Sequence, residues 1–127
     1  MSGHNDIVIS INGRDFPKIY SKLSSECKLF LFSFPYIGVT GKHKTEPHIH
    51  IFLDDVIWPT KNPEINELIG AVKKYKYRLQ RIGEDYKDVE DVGVSAEEFS
   101  DAPYPVTSFS RTDAPRISVN EIVKRYS

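Results

Sequence analysis

A short stretch in which polar and apolar residues alternate, residues 47 to 55, constrains the fold more than any other part of the chain. It reads Pro-His-Ile-His-Ile-Phe-Leu-Asp-Asp, and alternate residues of a β-strand point to the same face of a sheet. His48 and His50 are therefore predicted to stand side by side, about 7 Å apart along a strand. The residues predicted on the opposite face are apolar: Ile49, Ile51 and Leu53. Two such imidazoles can share one divalent metal ion, or can simply form the polar face of an amphipathic strand.

Length and composition indicate one soluble domain. The chain has 127 residues, 39% of them hydrophobic, and a net charge of −1, which is ordinary for a globular protein and unlike a bulk nucleic-acid binder. No apolar run approaches the roughly 20 residues of a membrane-spanning helix, and the N-terminus lacks the features of a signal peptide. Cys27 is the only cysteine, so a reducing compartment and a buried, unreactive thiol are expected. These features predict a cytoplasmic protein with no membrane partner.

The first half of the chain predicts strands around one short helix. A strand over residues 6–11 ends at the Asn12-Gly13 turn, and apolar residues at helical spacing predict a helix over residues 16–25. The aromatic run 28–34 has strand length and is expected to continue through residues 37–40 beyond a kink at Pro35. A polar turn at 41–46 would then join it to the histidine strand as an antiparallel hairpin.

The second half predicts helices. Asn62 and Pro63 form a helix start, and seven apolar residues then continue at helical spacing up to the stop at Gly83. The seven are Ile65, Leu68, Ile69, Val72, Tyr75, Leu79 and Ile82. Capping boxes at 95–98 and 118–121 predict a short helix and a final helix. The expected fold is α+β, an antiparallel sheet of four to five strands with helices packed on it, as a single domain over 1–127. Its core covers about 5–100, followed by an irregular stretch at 101–117 and a C-terminal helix at 118–127.

Charge is separated along the predicted long helix and the residues that follow it. Residues 71–82 carry five basic side chains and no acid, whereas residues 84–101 carry eight acids and one lysine. The basic side chains are Lys73, Lys74, Lys76, Arg78 and Arg81. This pattern indicates either a phosphate-binding helix face or a solvated helix followed by an acidic loop.

The order of elements, together with the Pro47-His48-Ile49-His50 motif, resembles the HUH endonucleases, which include rolling-circle replication initiators and single-tyrosine transposases. His43, a few residues upstream, strengthens the likeness to the viral members. The resemblance covers residues 5–82 as an order of elements, similar to the RNA-recognition-motif and Rep folds, but only about ten residues as a motif. It implies metal-dependent nicking and joining of single-stranded DNA by a tyrosine nucleophile that becomes linked to the 5′ end.

Carried onto this sequence, the resemblance implies a set of site residues. His48 and His50 would bind Mg²⁺ or Mn²⁺, with Glu46 as the first candidate for a third ligand and His43 and Gln80 as the alternatives. Tyr75 is the first candidate nucleophile and Tyr77 the second, with Tyr86 outside the helix as a third. The residues expected to hold the DNA backbone are Lys73, Lys74, Arg78 and Arg81.

A second interpretation needs no catalysis. The chain also resembles short bacterial proteins of unknown role that carry a His-turn-Pro-His-x-His hairpin followed by a helix. It would then be a small binding or regulatory module, with self-association as one option, whose histidines bind a partner or nothing. RNA stays open as a ligand, because four aromatic residues could form a base-stacking platform or belong to the core. These are Phe30, Phe32, Phe34 and Tyr36.

Overall fold

A five-stranded antiparallel sheet forms the centre of the protein in the computed structural model, which describes residues 3–41, 46–95, 97–105 and 112–127. The strands lie in the order β2-β3-β1-β4-β5. The elements along the chain are β1 (Gly3–Asn12), α1 (Asp15–Ser21), α2 (Ser25–Ser33), β2 (Tyr36–Thr40), β3 (His48–Trp58), α3 (Pro63–Val72), β4 (Tyr77–Gly83), β5 (Val89–Gly93) and α4 (Val119–Tyr126). The predicted α+β class, with an antiparallel sheet and helices packed on it, is confirmed.

The main hydrophobic core lies between one face of the sheet, called here the helix face, and the four helices of the described residues. The strands contribute alternating apolar side chains that are almost fully buried: Ile7, Ile9, Ile11, Ile49, Ile51 and Leu79. The helices contribute Phe16, Ile19, Cys27, Leu31, Leu68 and Ile122, among others. The apolar side chains that recur every second residue in the strands and at helical spacing in the helices therefore pack together in one core.

The opposite face, called here the histidine face, bears His48 and His50 and carries a polar row. Gly38, His50, Ser10, Arg78 and Gly93 are consecutive cross-strand neighbours from β2 to β5. Two later parts of the chain reach this face. Residues 97–105, the covering segment, bring Phe99 against His48. Residues 112–117, the second covering segment, add a small apolar cluster of Val8, Phe52 and Ala114.

The predicted strand over 28–34 is wrong, because Ser25–Ser33 form helix α2. The Ser24 hydroxyl caps this helix by accepting a hydrogen bond from the Cys27 amide at 3.2 Å. Cys27 and Leu31, four residues apart, provide its buried side, whereas Phe32 stays half-exposed. The aromatic residues of this run therefore do not form a platform on the sheet. Only the continuation at 37–40 is correct, as part of β2.

The predicted helix through residue 82 is also wrong, because α3 ends at Val72 and Tyr77–Gly83 form β4. Its beginning is correct: Asn62 caps α3 through its side-chain oxygen, and Pro63 is the first helical residue. The buried stripe is correct as far as Val72. Beyond that point the chain turns and pairs with the free edge of β1.

The remaining predictions have mixed outcomes. Strand β1, the histidine strand and its hairpin with β2 are confirmed, as is α4 with its Ser118 cap. The helix predicted over 16–25 is shorter, since α1 ends at Ser21. The short helix predicted from the capping box at 95–98 is not formed in the described residues, where 97–101 are turns. Most of the turn 41–46, including His43, lies outside the described residues.

Cys27 is buried in the core, as expected of an unreactive thiol. Burial, with smaller contributions from Glu67 and Glu64, raises the pKa of the thiol to about 11. None of the helices in the described part of the chain has the length and apolar character needed to cross a membrane.

Candidate functional site

His48 and His50 lie on one face of β3, as their spacing predicts. Their ring centroids are 6.5 Å apart and the ring planes are nearly perpendicular, at 86°. His50 is fully buried beside the central strand β1, whereas the His48 side chain, near the start of β3, is 19% exposed. The pair is therefore one interior imidazole and one imidazole at the margin of the site.

Both ring nitrogens of His50 are hydrogen-bonded to hydroxyl groups. Nδ1 lies 2.7 Å from the Ser10 Oγ, and Nε2 lies 2.7 Å from the Thr40 Oγ1. The Thr40 hydroxyl donates its only proton to the Asp101 Oδ2 at 2.5 Å, so it accepts from the Nε2–H of His50. Nδ1 is then the unprotonated nitrogen and accepts from the Ser10 hydroxyl. This assigns one tautomer of a neutral His50.

Asp101 joins the two histidines through the covering segment. Its Oδ2 accepts from Thr40, and its Oδ1 accepts a 2.7 Å hydrogen bond from the Nδ1–H of His48. The Phe99 ring packs on His48 at 4.6 Å between centroids, and Arg78 Nη1 donates to the Phe99 carbonyl at 2.9 Å. The covering segment is thus attached to the histidine face by side-chain hydrogen bonds, one backbone contact and a buried ring.

The charges of this network follow from its burial and hydrogen bonds. Burial lowers the pKa of His50 to about 4; the negative charge of Asp101 opposes this shift and His48 adds to it. Burial alone would raise the pKa of Asp101, but the hydrogen bonds from His48 and Thr40 hold it well below its usual range. At neutral pH the network therefore contains a neutral His50 and an ionised Asp101.

The predicted metal ligands do not form a suitable donor set for Mg²⁺ or Mn²⁺. The Glu46 carboxylate lies 3.6 Å from Arg14 Nη1, and both side chains are exposed. Both nitrogens of His50 are engaged, so Nε2 of His48 is the one ring nitrogen of the pair without a hydrogen bond from the described residues. No group of three His, Cys, Asp or Glu side chains in these residues is placed to hold a metal. Hard cations also prefer several oxygen ligands.

The candidate tyrosines lie away from the histidines. Tyr77 is paired with Ile11, so its side chain is on the helix face, whereas His50 is on the histidine face. Tyr75 lies in the turn after α3, with its amide bonded to the Val72 carbonyl, and packs on the same core as Tyr77. Tyr86 is exposed in the β4–β5 turn, with φ of 60°. The structure does not bring Tyr75, Tyr77 and the histidines together.

The predicted DNA-binding arginines are paired within the chain. Arg78 makes a two-point hydrogen bond to Asp91, at 3.0 and 2.8 Å. Arg81, only 8% exposed, makes another to Asp88, and its guanidinium also bonds Glu90 and Asn5. The acidic stretch therefore folds back onto the basic one through the β4–β5 pair.

Two of the predicted phosphate-binding residues do face solvent. Lys73 and Lys74 follow α3, and neither has an ion pair within the described residues. Because Arg78 and Arg81 are already paired with carboxylates, Lys73 and Lys74 are left as two neighbouring positive charges. Two charges alone attract a nucleic-acid backbone weakly.

Sequence reasoning missed the partners of the histidines. Ser10 and Thr40 bond His50, Asp101 bonds His48, and the Phe99 ring covers His48. The period-two pattern of β1 could have placed Ser10 on the polar face. Nothing local marks Asp101, which stands 53 residues from His48 within a stretch of many acids.

Comparison with known proteins adds no relative. The chain matches no family model, no curated protein and no solved structure.

Proposed function

We propose that the protein is a non-enzymatic binding module in which the histidine pair attaches the covering segment to the sheet. The observation that carries this proposal is the hydrogen-bond occupancy of the pair. Three of the four ring nitrogens of His48 and His50 bond to Ser10, Thr40 and Asp101 of the same chain. Metal ligation by both rings would require His50 to give up its bond to Ser10 or to Thr40.

The positions of the other candidate residues support the same function. Tyr75 and Tyr77 pack on the helix-face core, so the sheet separates them from the buried His50. Arg78 and Arg81 are neutralised by Asp91, Asp88 and Glu90. A covalent phosphotransfer site needs the nucleophile and the phosphate-binding charges close to the metal.

A covalent-adduct assay tests this proposal directly. The protein is incubated with a labelled pool of single-stranded oligonucleotides, with Mn²⁺ or with EDTA, and run on a denaturing gel. We expect no band shifted by the mass of the protein under either condition. A Mn²⁺-dependent shifted band would overturn the proposal.

A double-mutant cycle on His48 and Asp101 tests the attachment role through an effect that should be present, rather than through the absence of a band. An attachment role predicts a coupling of about 1–3 kcal/mol in the free energy of unfolding. The coupling should be the same with Mn²⁺ and with EDTA. Additive effects of His48→Ala and Asp101→Asn would contradict the attachment role.

Nuclease activity is the second candidate, and one arrangement favours it. The two histidines do share a face of a central strand, and the covering segment that reaches this face ends near Tyr104, which is half-exposed. Tyr104 lies 54 residues after His50, farther than Tyr75 or Tyr77. If a shifted band appears, Tyr→Phe changes at 75, 77, 86 and 104 will identify which of these is the nucleophile, because only the correct one abolishes the adduct.

A further inference from the structure

The two edges of the sheet differ in whether another part of the chain is paired with them. Strands β2 and β5 are the edge strands. On the outer side of β2, the Val39 amide donates to the Pro115 carbonyl at 3.1 Å and the Ile117 amide donates to the Ile37 carbonyl at 2.9 Å. On the outer side of β5, none of the residues that the structure describes makes a backbone hydrogen bond. A free strand edge of this kind can take up a further strand.

Two hydrogen bonds show which backbone groups of β5 are free. The Gly83 amide donates to the Asp88 carbonyl and the Val94 amide donates to the Tyr77 carbonyl, both at 2.8 Å. These pairs continue the register in which β4 and β5 lie opposite each other. Because opposite residues of an antiparallel ladder exchange hydrogen bonds at every second position, the even-numbered residues of β5 are the ones bonded to β4.

The N–H and C=O groups of Val89 and Asp91 therefore point outward, away from β4. Gly93 would be next in this series, but its φ of 113° is outside the range of regular strands, so we expect pairing along this edge to end before it. The side chains of Val89 and Val92 are exposed and lie on opposite faces of the sheet. The edge thus combines outward donors and acceptors with an apolar side chain on each face.

The charges that a partner strand would meet on β5 are negative. The Asp91 carboxylate is 49% exposed, whereas Arg78, which bonds it, is 12% exposed. Asp88 and Glu90 are likewise more exposed than Arg81, which they share. The guanidinium groups are therefore buried behind a larger number of accessible carboxylates, and this arrangement is complementary to a strand that carries Lys or Arg.

A second copy of this chain is a poor partner for the same edge. Antiparallel pairing of Val89 with Asp91 of another copy would place the two Glu90 side chains directly opposite each other. Pairing centred on Asp91 would place the two Asp91 side chains opposite each other. Like charges at directly opposite positions destabilise a pair of strands, whereas opposite charges there stabilise it.

We propose that the outer edge of β5 binds an extended basic segment of a partner protein, which adds a sixth strand to the sheet. The backbone of the segment pairs with Val89 and Asp91, and its Lys or Arg side chains lie beside Glu90 and Asp91. The inference goes beyond the proposed function, because it assigns a partner class to β5, which contributes no residue to the histidine network.

The test uses a fluorescein-labelled peptide, Thr-Lys-Val-Lys-Val-Lys-Thr, whose binding to the intact protein is followed by fluorescence anisotropy. Two peptides of the same length are the controls: one has Glu in place of every Lys, and one has Pro in place of both Val, which keeps the charge but prevents strand pairing. We expect a dissociation constant on the order of 0.1–1 mM for the first peptide, since the edge is short. The Pro peptide should bind more weakly by about fivefold or more, and the Glu peptide by about tenfold or more.

Amide proton shifts in NMR spectra of the isotope-labelled protein locate the peptide. Formation of a hydrogen bond moves an amide proton downfield, so Val89 and Asp91 should show the largest downfield shifts. Glu90 and Val92 should shift less, because their N–H groups already bond to β4 in the free protein.

Three variants test the contacts separately, and urea unfolding shows whether each variant is folded. Val89→Pro removes an outward N–H without breaking a bond to β4, so peptide binding should weaken by about fivefold or more. Val89→Thr, the matched control, keeps this N–H and a β-branched side chain and should change binding by less than about twofold. Glu90→Gln keeps an acceptor for Arg81 but loses the charge, and should weaken binding by about two- to fourfold.

The outcomes separate this inference from the proposed function. Equal binding of the Lys-Val and Lys-Pro peptides, or amide shifts that lie outside β5, would mean that charge attracts the peptide without strand addition, and overturns the inference. Absence of binding by the Lys-Val peptide at millimolar concentration overturns it as well. Shifts at Val89 and Asp91 that appear when the protein is concentrated without peptide would assign the edge to a second copy instead. None of these results changes the adduct assay, which decides the role of the histidine pair.

Discussion

His50 shows how a polar residue is kept in the interior of this protein. A buried imidazole without partners would lose the free energy of its hydration, but here Ser10 and Thr40 satisfy both nitrogens. The Asp101 carboxylate is in turn satisfied by Thr40 and His48. Removal of one member leaves a neighbouring donor or acceptor in the interior without one of its partners, which costs more than the hydrogen bond itself contributes.

Truncation of His50 tests this dependence. His50→Ala leaves a cavity and removes the partner of the buried Ser10 hydroxyl, while Thr40 keeps its bond to Asp101, so we expect the free energy of unfolding to fall by about 2–4 kcal/mol. Urea denaturation with and without Mn²⁺ should give the same loss. The matched control is His4→Ala, on an exposed histidine, which should cost less than about 1 kcal/mol. Equal effects of the two changes would contradict a structural role for His50.

Acid should destabilise the protein through the same residue. The pKa of His50 is about 4 in the folded state, below its ordinary value of 6.5, so below pH 6.5 the unfolded chain binds a proton that the folded chain excludes. Stability from this source is therefore full above pH 6.5 and is lost by pH 4, a change of roughly 3 kcal/mol. Asp101, with its lowered pKa, adds a loss at still lower pH. Urea denaturation from pH 7.5 to 4 should show this slope, and His50→Gln should reduce it.

For single residues, the sequence predicts which face of the sheet the two histidine side chains point to, but not the groups to which they are hydrogen-bonded. The shared face of His48 and His50 follows from the geometry of any strand. The hydrogen bonds made by their ring nitrogens do not follow from local sequence, because Asp101 stands 51 to 53 residues further along the chain. A solvated acidic loop and an acidic segment that is hydrogen-bonded to a sheet have the same composition, so composition does not distinguish them.

Strand β4 and helix α2 are the two elements whose type differs from the prediction, and the reasons are physical. Tyr75, Leu79 and Ile82 continue the spacing of α3 by coincidence, and no Gly or Pro stands between Val72 and Gly83. The residues become a strand because β1 has a second edge to pair, which no local pattern reveals. Residues 28–34 form a short, nearly continuous apolar run, and such a run cannot be assigned to a strand or a helix by periodicity alone. The well-capped starts of α3 and α4 were predictable because capping is local.

The β4–β5 pair depends on Arg81. Its guanidinium bonds Asp88, Glu90 and Asn5, so Arg81→Ala would leave the buried Asn5 without this donor and remove the bonds to two partly exposed carboxylates. We expect a loss of about 1–2 kcal/mol in the free energy of unfolding, measured by urea denaturation. Lys73→Ala is the control, because this exposed lysine has no ion pair in the described residues; it should change stability by less than about 0.5 kcal/mol. A small effect at Arg81 would show that the acidic stretch is not held by it.

For the molecule as a whole, the two faces of the sheet are closed in different ways. Helices cover one face with an extended apolar core, whereas two chain segments cover the other with hydrogen bonds and a few apolar contacts. The second covering segment approaches so closely at Gly38 that an added Cβ would lie 2.4 Å from the Ala114 carbonyl oxygen. A residue without a side chain is required there.

Two glycine substitutions test this closure. Gly38→Ala should displace the second covering segment, lower the unfolding free energy by about 1–3 kcal/mol, and increase proteolysis between residues 97 and 117. Gly70→Ala, in α3 with nothing within 4 Å of its added methyl, should raise stability by about 0.5–1 kcal/mol. Unchanged proteolysis in a folded Gly38→Ala protein would mean that the segment does not need this contact.

The hydrogen bonds of Asp101 also have a consequence for the order of assembly. They join residues 61 and 53 positions apart, to partners on β2 and β3 that become neighbours only when these strands have paired. Closing loops of this length before pairing would gain too few contacts to offset the entropy lost. We therefore expect the covering segment to dock late in folding and to open early in unfolding, as a unit separate from the sheet. Amide hydrogen exchange should find its protons exchanging through a smaller opening than those of β1 and β3, so that the histidine face is exposed from time to time without loss of the helix-face core.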